Sequence, residues 1–174
     1  DYRSFTSRTT APSTLIDAPR PTSQQAISTT PSVTITWLGS DPDGVLTQRP
    51  VKYKFKLVSA NDLNPANPNG ITSQMVQDYF GKDAVNFFAT WDSVSGDTTS
   101  VFFEGLTPQT TYYFAIVAFD EAGAYEPRFN LNFNVLAFRP TLNKLGPDIT
   151  VFNEFFERTQ TTGGVSLNSS RIYP

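Results

Sequence analysis

Carboxylates are the side chains of this sequence best placed to do chemistry, because it contains no histidine and no cysteine. Two short turns, Asp41-Pro42-Asp43-Gly44 and Asp120-Glu121-Ala122-Gly123, carry four of them. Hard oxygen donors in that number suit Ca²⁺, which takes about six to eight oxygens. An acidic pair is also what glycoside hydrolysis uses, but no pocket-building segment accompanies these turns. The ordinary role of Asp in a D-P-D-G turn is to cap its own backbone. The missing residue types exclude thiol nucleophiles, imidazole acid–base catalysis, Ser-His-Asp triads, zinc held by thiolate or imidazole, and disulfides. Most enzyme mechanisms lose their usual parts, so the sequence reads as non-catalytic, with no cofactor unless calcium binds.

Other residue patterns carry weaker chemistry. Lys52, Lys54 and Lys56 could crosslink to Asn only if buried beside a carboxyl, and their alternation with Tyr53, Phe55 and Leu57 turns them toward water. Asn130, Asn132 and Asn134 have the spacing of a sugar-binding ladder, or simply of a solvated sheet face. Phe87, Phe88 and Trp91 could stack on carbohydrate, or pack an inserted segment against the rest of the fold. Asn168-Ser169-Ser170 fits a glycosylation acceptor triplet, a pattern common by chance.

The elements that must position these residues are strands. The chain has 174 residues, 39% of them hydrophobic and 14% aromatic, enough for a real core. Ser and Thr number 37, against 17% charged residues, a mixture that favours an all-β, surface-exposed protein. Net charge is −3 with no basic cluster, which argues against a nucleic-acid partner. Apolar runs are too short to span a membrane. The chain starts at Asp1 rather than Met, which suggests a processed product.

Val33, Ile35 and Trp37 alternate with Thr34 and Thr36, then end in the D-P-D-G turn. Tyr53, Phe55 and Leu57 form a second strand. Residues 59–90 break the rhythm, with a short helix capped by Thr72 or Ser73, carrying Met75, Val76, Tyr79 and Phe80 and ended by Gly81. Residues 85–91 are apolar enough for another strand. Val101 and Phe103, then Tyr112, Phe114, Ile116 and Ala118, alternate in turn. Phe129, Leu131, Phe133, Val135 and Ala137 make the last clear strand. Trp37 sits inside an alternation, so it fills the core rather than stacking on a ligand.

Short alternating strands separated by turns imply a β-sandwich. The run Leu106-Thr107-Pro108-Gln109-Thr110-Thr111-Tyr112-Tyr113-Phe114-Ala115-Ile116-Val117-Ala118 resembles the fibronectin type III signature L-x-P-x-T-x-Y-x-V-x-V-x-A. Trp37 and Tyr53 are similar to that family's core pair, and the two acidic turns are similar to those of its bacterial versions. The resemblance implies a sandwich at 13–140 with a short helical insertion at 59–90. It buries Val33, Ile35, Trp37, Tyr53, Phe55, Leu57, Tyr112, Phe114 and Ile116, with Tyr112 as a tyrosine corner. Without the insertion that span holds 96 residues, near the ~100 of an immunoglobulin-like sandwich. It also brings Asp41 and Asp43 to the same end as Asp120 and Glu121, the candidate calcium ligands, with Glu126 a further candidate.

Extended arms flank the sandwich, at 1–12 and at 141–174. The second carries Ile149, Val151, Phe152, Phe155 and Phe156, and the first Tyr2 and Phe5. Sandwich edges accept an added strand. The expectation is therefore a non-catalytic subunit of an extracellular or cell-surface filament, polymerising with copies of itself through these arms. The alternative is a spacer, adhesion or carbohydrate-binding module of a larger secreted protein, with surface glycans as partners.

Overall fold

The computed structural model describes residues 9–22, 26–44 and 47–141. Period-two alternation lays down β1 (Ser13–Ala18), β2 (Ile27–Thr29), β3 (Val33–Ser40) and β4 (Lys52–Ser59). Two helices follow, α1 (Ala60–Leu63) and α2 (Ser73–Gly81), and a 3-10 helix at Lys82–Asn86. The chain then forms β5 (Asp92–Ser95), β6 (Ser100–Phe103), β7 (Tyr112–Phe119) and β8 (Val135–Pro140). One sheet has the order β1-β3-β6 and the other β2-β8-β7-β4-β5, with β2 parallel to β8 and the remaining pairs antiparallel.

Between the sheets, the inward residues close around Trp37, which is 1% exposed. Tyr53 meets its ring edge-on at 5.7 Å, and Phe55 and Phe114 lie at 6.3 Å. Val33, Ile35, Tyr53, Phe55, Phe114 and Ile116 are buried as expected, while Leu57 and Tyr112 are half-buried at the margin. Tyr112 forms the tyrosine corner, its hydroxyl accepting from the Thr107 amide at 3.1 Å.

A second core lies on the opposite face of the larger sheet. Residues 60–91 fold back over β4 and β7 and bury Val76, Phe80, Phe88 and Trp91 against Tyr113, Ala115, Val117 and Phe119. This explains why β7 is an uninterrupted apolar run: it is covered on both sides. It also corrects the expectation that the lysine face of β4 meets water. Lys52 is exposed, but Lys54 and Lys56 lie half-buried beneath the insertion.

Three local readings also change. Residues 85–91 are the end of the 3-10 helix and a turn, not a strand, because residues 82–91 turn back on themselves before β5. Thr72 caps α2, accepting from the Met75 amide, but Gly81 does not end it in a left-handed residue. Gly81 is right-handed helical and leads into the 3-10 helix, which Phe87 terminates with φ 48°. Finally, the last strand starts at Val135, because side-chain bonds from asparagines fold residues 129–134 into turns.

Candidate functional site

The turns that follow β3 and β7 meet at one end of the sandwich, and they gather Asp41, Asp43, Asp120 and Glu121 into one electrostatic cluster. Consecutive residues bind two of the carboxylates. Thr9 Oγ1 donates to Asp120 Oδ2, and the Thr10 amide donates to Asp43 Oδ2 at 2.7 Å. Asp120 is 3% exposed and also accepts from the Ala124 amide at 2.6 Å. The Thr10 bond holds the Asp43 carboxyl below its ordinary range.

Asp41 differs from its neighbours. It is fully buried, and neither carboxylate oxygen has a hydrogen-bond donor among the described residues. Burial pushes its carboxyl up, and contact with the Asp43 carboxyl and the charges of Glu121, Asp43 and Asp120 push it further. Its backbone does form the turn, since Gly44 N donates to Asp41 O at 3.4 Å. Its side chain does not cap that turn, contrary to the ordinary role of Asp at such a position. Glu126 is not part of this cluster. It lies beside β1, where burial raises its carboxyl against the opposing effects of the Thr14 amide and Arg128.

The other candidates are structural. Asp83 Oδ2 takes both Trp91 Nε1 at 2.8 Å and Lys56 Nζ at 3.0 Å, pinning the insertion to β4. Lys54 Nζ donates to the carbonyls of Phe87 and Phe88, at 3.1 and 3.0 Å. Burial lowers its pKa, with a smaller push from Lys52. No lysine of the triplet is set up to crosslink to Asn: Lys54 and Lys56 are held by these contacts, and Lys52 is exposed. Phe88 and Trp91 are buried by the insertion, which leaves Phe87 as the exposed aromatic of that group. The asparagine ladder is absent from any sheet face. Asn134 Oδ1 accepts from the Asn130 amide, Asn130 Oδ1 from the Asn132 amide, and Asn134 Nδ2 donates to Arg128 O.

One feature gave no sequence signal. Leu15, Leu38 and Phe133 are exposed and line a groove of about 480 Å³ with Thr14, Ser40 and Glu126. Leu15 and Leu38 are register partners across β1 and β3, and Ile16 N donates to Phe133 O at 2.7 Å. In the sequence Leu15 and Leu38 are each a lone apolar residue on an otherwise polar strand face, and Phe133 reads as one position of the expected last strand's apolar face. The interface candidates Tyr2, Phe5, Ile149, Val151, Phe152, Phe155 and Phe156, and the triplet at Asn168, lie outside the described residues.

Two facing sheets with a Trp–Tyr centre and a tyrosine corner define an immunoglobulin-like β-sandwich. Residues 17–134 match the family model of the fibronectin type III domain, and the chain belongs to that family. Among solved structures it is similar to the fibronectin(III)-like modules of Clostridium thermocellum CbhA, at 12% identity and TM-score 0.42, over 78% of this chain and 50% of that one. It is also similar to the chicken CNTN1 FN1–FN3 domains, at 16% identity and TM-score 0.36, over 72% of this chain and 33% of that one. For the fn3 domain of the human collagen alpha-1(XX) chain the values are 15% and 0.35, over 83% and 94%. The alignments thus span half or less of the first two structures' length. No curated protein sequence matches the chain. Among the described residues no helix is long and apolar enough to cross a membrane.

Proposed function

We propose that this chain is a non-catalytic structural or spacer module of an extracellular or cell-surface protein. The observation that supports it is the use of both faces of the larger sheet for packing. One face fills the sandwich and the other is roofed by residues 60–91, held by the Asp83–Trp91 and Lys54 contacts. Such an arrangement stiffens a module and commits its broadest surface to the interior. A sequence without His or Cys agrees with a passive role. The test is electron microscopy of the 174-residue chain with turnover assays on glycans and peptides. Discrete, inactive particles are expected. Turnover that depends on Asp41, Asp43 or Glu121 would overturn the reading.

A second reading, polymerisation with copies of itself through residues 1–12 and 141–174, draws on the exposed Leu15–Leu38–Phe133 groove beside the β1 edge. The apolar side chains of the C-terminal arm have the chemistry to fill it. A head-to-tail contact of that kind propagates as a filament unless it closes into a ring. Deleting either arm and measuring sedimentation tests it. Monomers from the full chain at high concentration, or unchanged polymers from both deletions, would exclude it.

A further inference from the structure

Phe87 is held outward on a left-handed backbone, and the contacts that hold it are several. Phe87 N donates to Ala84 O at 3.0 Å and Phe88 N to Asp83 O at 2.9 Å. Lys54 Nζ donates to the carbonyls of both residues, and Asp83 ties the start of the loop to Trp91 at its end. Strain kept in place by such over-determined surroundings is typical of ligand-binding positions. Packing does not account for it at Phe87. The residue is 64% exposed, Val85 nearby is 82% exposed, and among the described residues Tyr125 is the one ring that meets Phe87, at 6.4 Å. Asp83, Val85, Asn86, Phe87, Ala89 and Thr90 line a cavity of about 450 Å³, the size of a small-ligand site. Asn86 and Thr90 present their side chains to solvent beside the aromatic ring.

We propose that this loop binds a neutral sugar chain, one pyranose stacking on Phe87 while Asn86 and Thr90 hydrogen-bond its hydroxyls. The chemistry of the wall selects the ligand. A pyranose with equatorial hydroxyls has apolar C–H faces, which suit the negative face of an aromatic ring. Its rim of hydroxyls both donates and accepts, and so do an amide and a threonine. Lys54 and Lys56 are held by carbonyls and by Asp83, and Lys82 sits over the Tyr79 ring at 3.8 Å. The Asp83 carboxylate is then the charge at the wall, and it disfavours acidic sugars and phosphates. A protein partner fits less well, because a stable contact buries about 800 Å² on each side and two apolar side chains do not supply that. The fixed backbone presents the ring ready for contact, so little ordering accompanies binding. The site adds a ligand to the non-catalytic module and does not depend on its being a spacer.

The experiment is an amide-resolved NMR titration of the 174-residue chain with cellotetraose, chitotetraose and mannotetraose, and with tetragalacturonate as the acidic control. Each sugar is taken to about 10 mM, enough to register a millimolar Kd. Shifts at residues 83–90 with at least one neutral chain, and none there with tetragalacturonate, are expected. Phe87→Asn relieves the left-handed backbone, so it should fold at least as stably as the parent while weakening binding by about tenfold or more. Phe87→Leu keeps an apolar side chain without a flat face and should weaken binding likewise, whereas Phe87→Tyr should retain it. No shift at 83–90 with any of the three neutral chains would overturn the site. So would tighter binding of tetragalacturonate, or binding undiminished in both Phe87→Asn and Phe87→Leu. Self-association of the parent that Phe87→Asn abolishes, with no response to sugar, would assign the ring to a protein contact instead.

Discussion

Trp91 donates its indole Nε1 to Asp83 Oδ2 at 2.8 Å, joining the two ends of the turn that roofs the larger sheet. The same oxygen takes Lys56 Nζ from β4. Asp83→Ala should therefore destabilise by about 1–3 kcal/mol, because it leaves the buried Trp91 N–H without a partner and Lys56 without its counter-ion. Denaturant unfolding measures it. The pH dependence has a defined sign. Burial alone would raise the Asp83 carboxyl, but hydrogen bonds from Trp91 and Lys56 and the charges of Lys56 and Lys82 outweigh it and lower the pKa. A lowered carboxyl stabilises above its unfolded pKa, and that stability is lost as pH falls through the folded value. The penalty of Asp83→Ala should accordingly be full above about pH 4 and shrink below it.

Tyr112 stacks on Phe138, with ring centroids 5.8 Å apart, and its hydroxyl accepts the Thr107 amide. The two contributions separate by mutation. Tyr112→Phe keeps the stack and loses one hydrogen bond at an exposed site, so it should cost about 1 kcal/mol. Tyr112→Ala loses both and should cost about 3 kcal/mol. Equal losses from the two variants, read from urea midpoints, would show that the corner bond alone carries the effect.

Phe87 and Phe88 both have left-handed backbones, with φ of 48° and 54°. For an aromatic residue this costs about 1–2 kcal/mol. Phe88 recovers the cost by complete burial, whereas Phe87 is 64% exposed. Phe87→Asn should then stabilise by about 0.5–1 kcal/mol, since Asn tolerates that conformation. Phe88→Asn should destabilise by about 3 kcal/mol or more. Lys54→Met removes the charged donor to both carbonyls and should cost about 1–2 kcal/mol. Chemical denaturation of the three variants tests the set. A Phe87→Asn protein no more stable than the parent would show that the conformation stores no strain.

The parts of the fold that were legible in the sequence are those where alternation reports a single buried face, as in Val33, Ile35 and Trp37 on β3. The second core was not, because Val76, Phe80, Phe88 and Trp91 come from a helix, a turn and a strand edge with no common period. Its trace was the filled-in alternation of β7, where Tyr113, Ala115 and Val117 are as apolar as their neighbours. Residues 129–134 alternate like a strand, yet asparagine side chains capture the amides a ladder would need. At the acidic end, the D-P-D-G spacing predicts a turn. It does not say that Asp41 would be buried while Asp43 stays exposed, because the two are the same residue type, two positions apart in one turn.

The Glu126 carboxyl borders the Leu15–Leu38–Phe133 groove, and burial raises its pKa despite the Thr14 amide and the Arg128 charge. A raised carboxyl contributes its stability below the unfolded pKa and loses it as pH rises through the folded value. At neutral pH the ionised group therefore opposes folding. Glu126→Gln keeps an acceptor for the Thr14 amide and removes the charge, so it should raise the unfolding midpoint at pH 7. The gain should vanish near pH 4, where the parent side chain is itself protonated in the folded state. Paired melts of the two proteins across that range decide it. A Gln variant that is less stable at pH 7 would mean that the charge–amide and charge–Arg128 attractions outweigh the burial of the carboxylate.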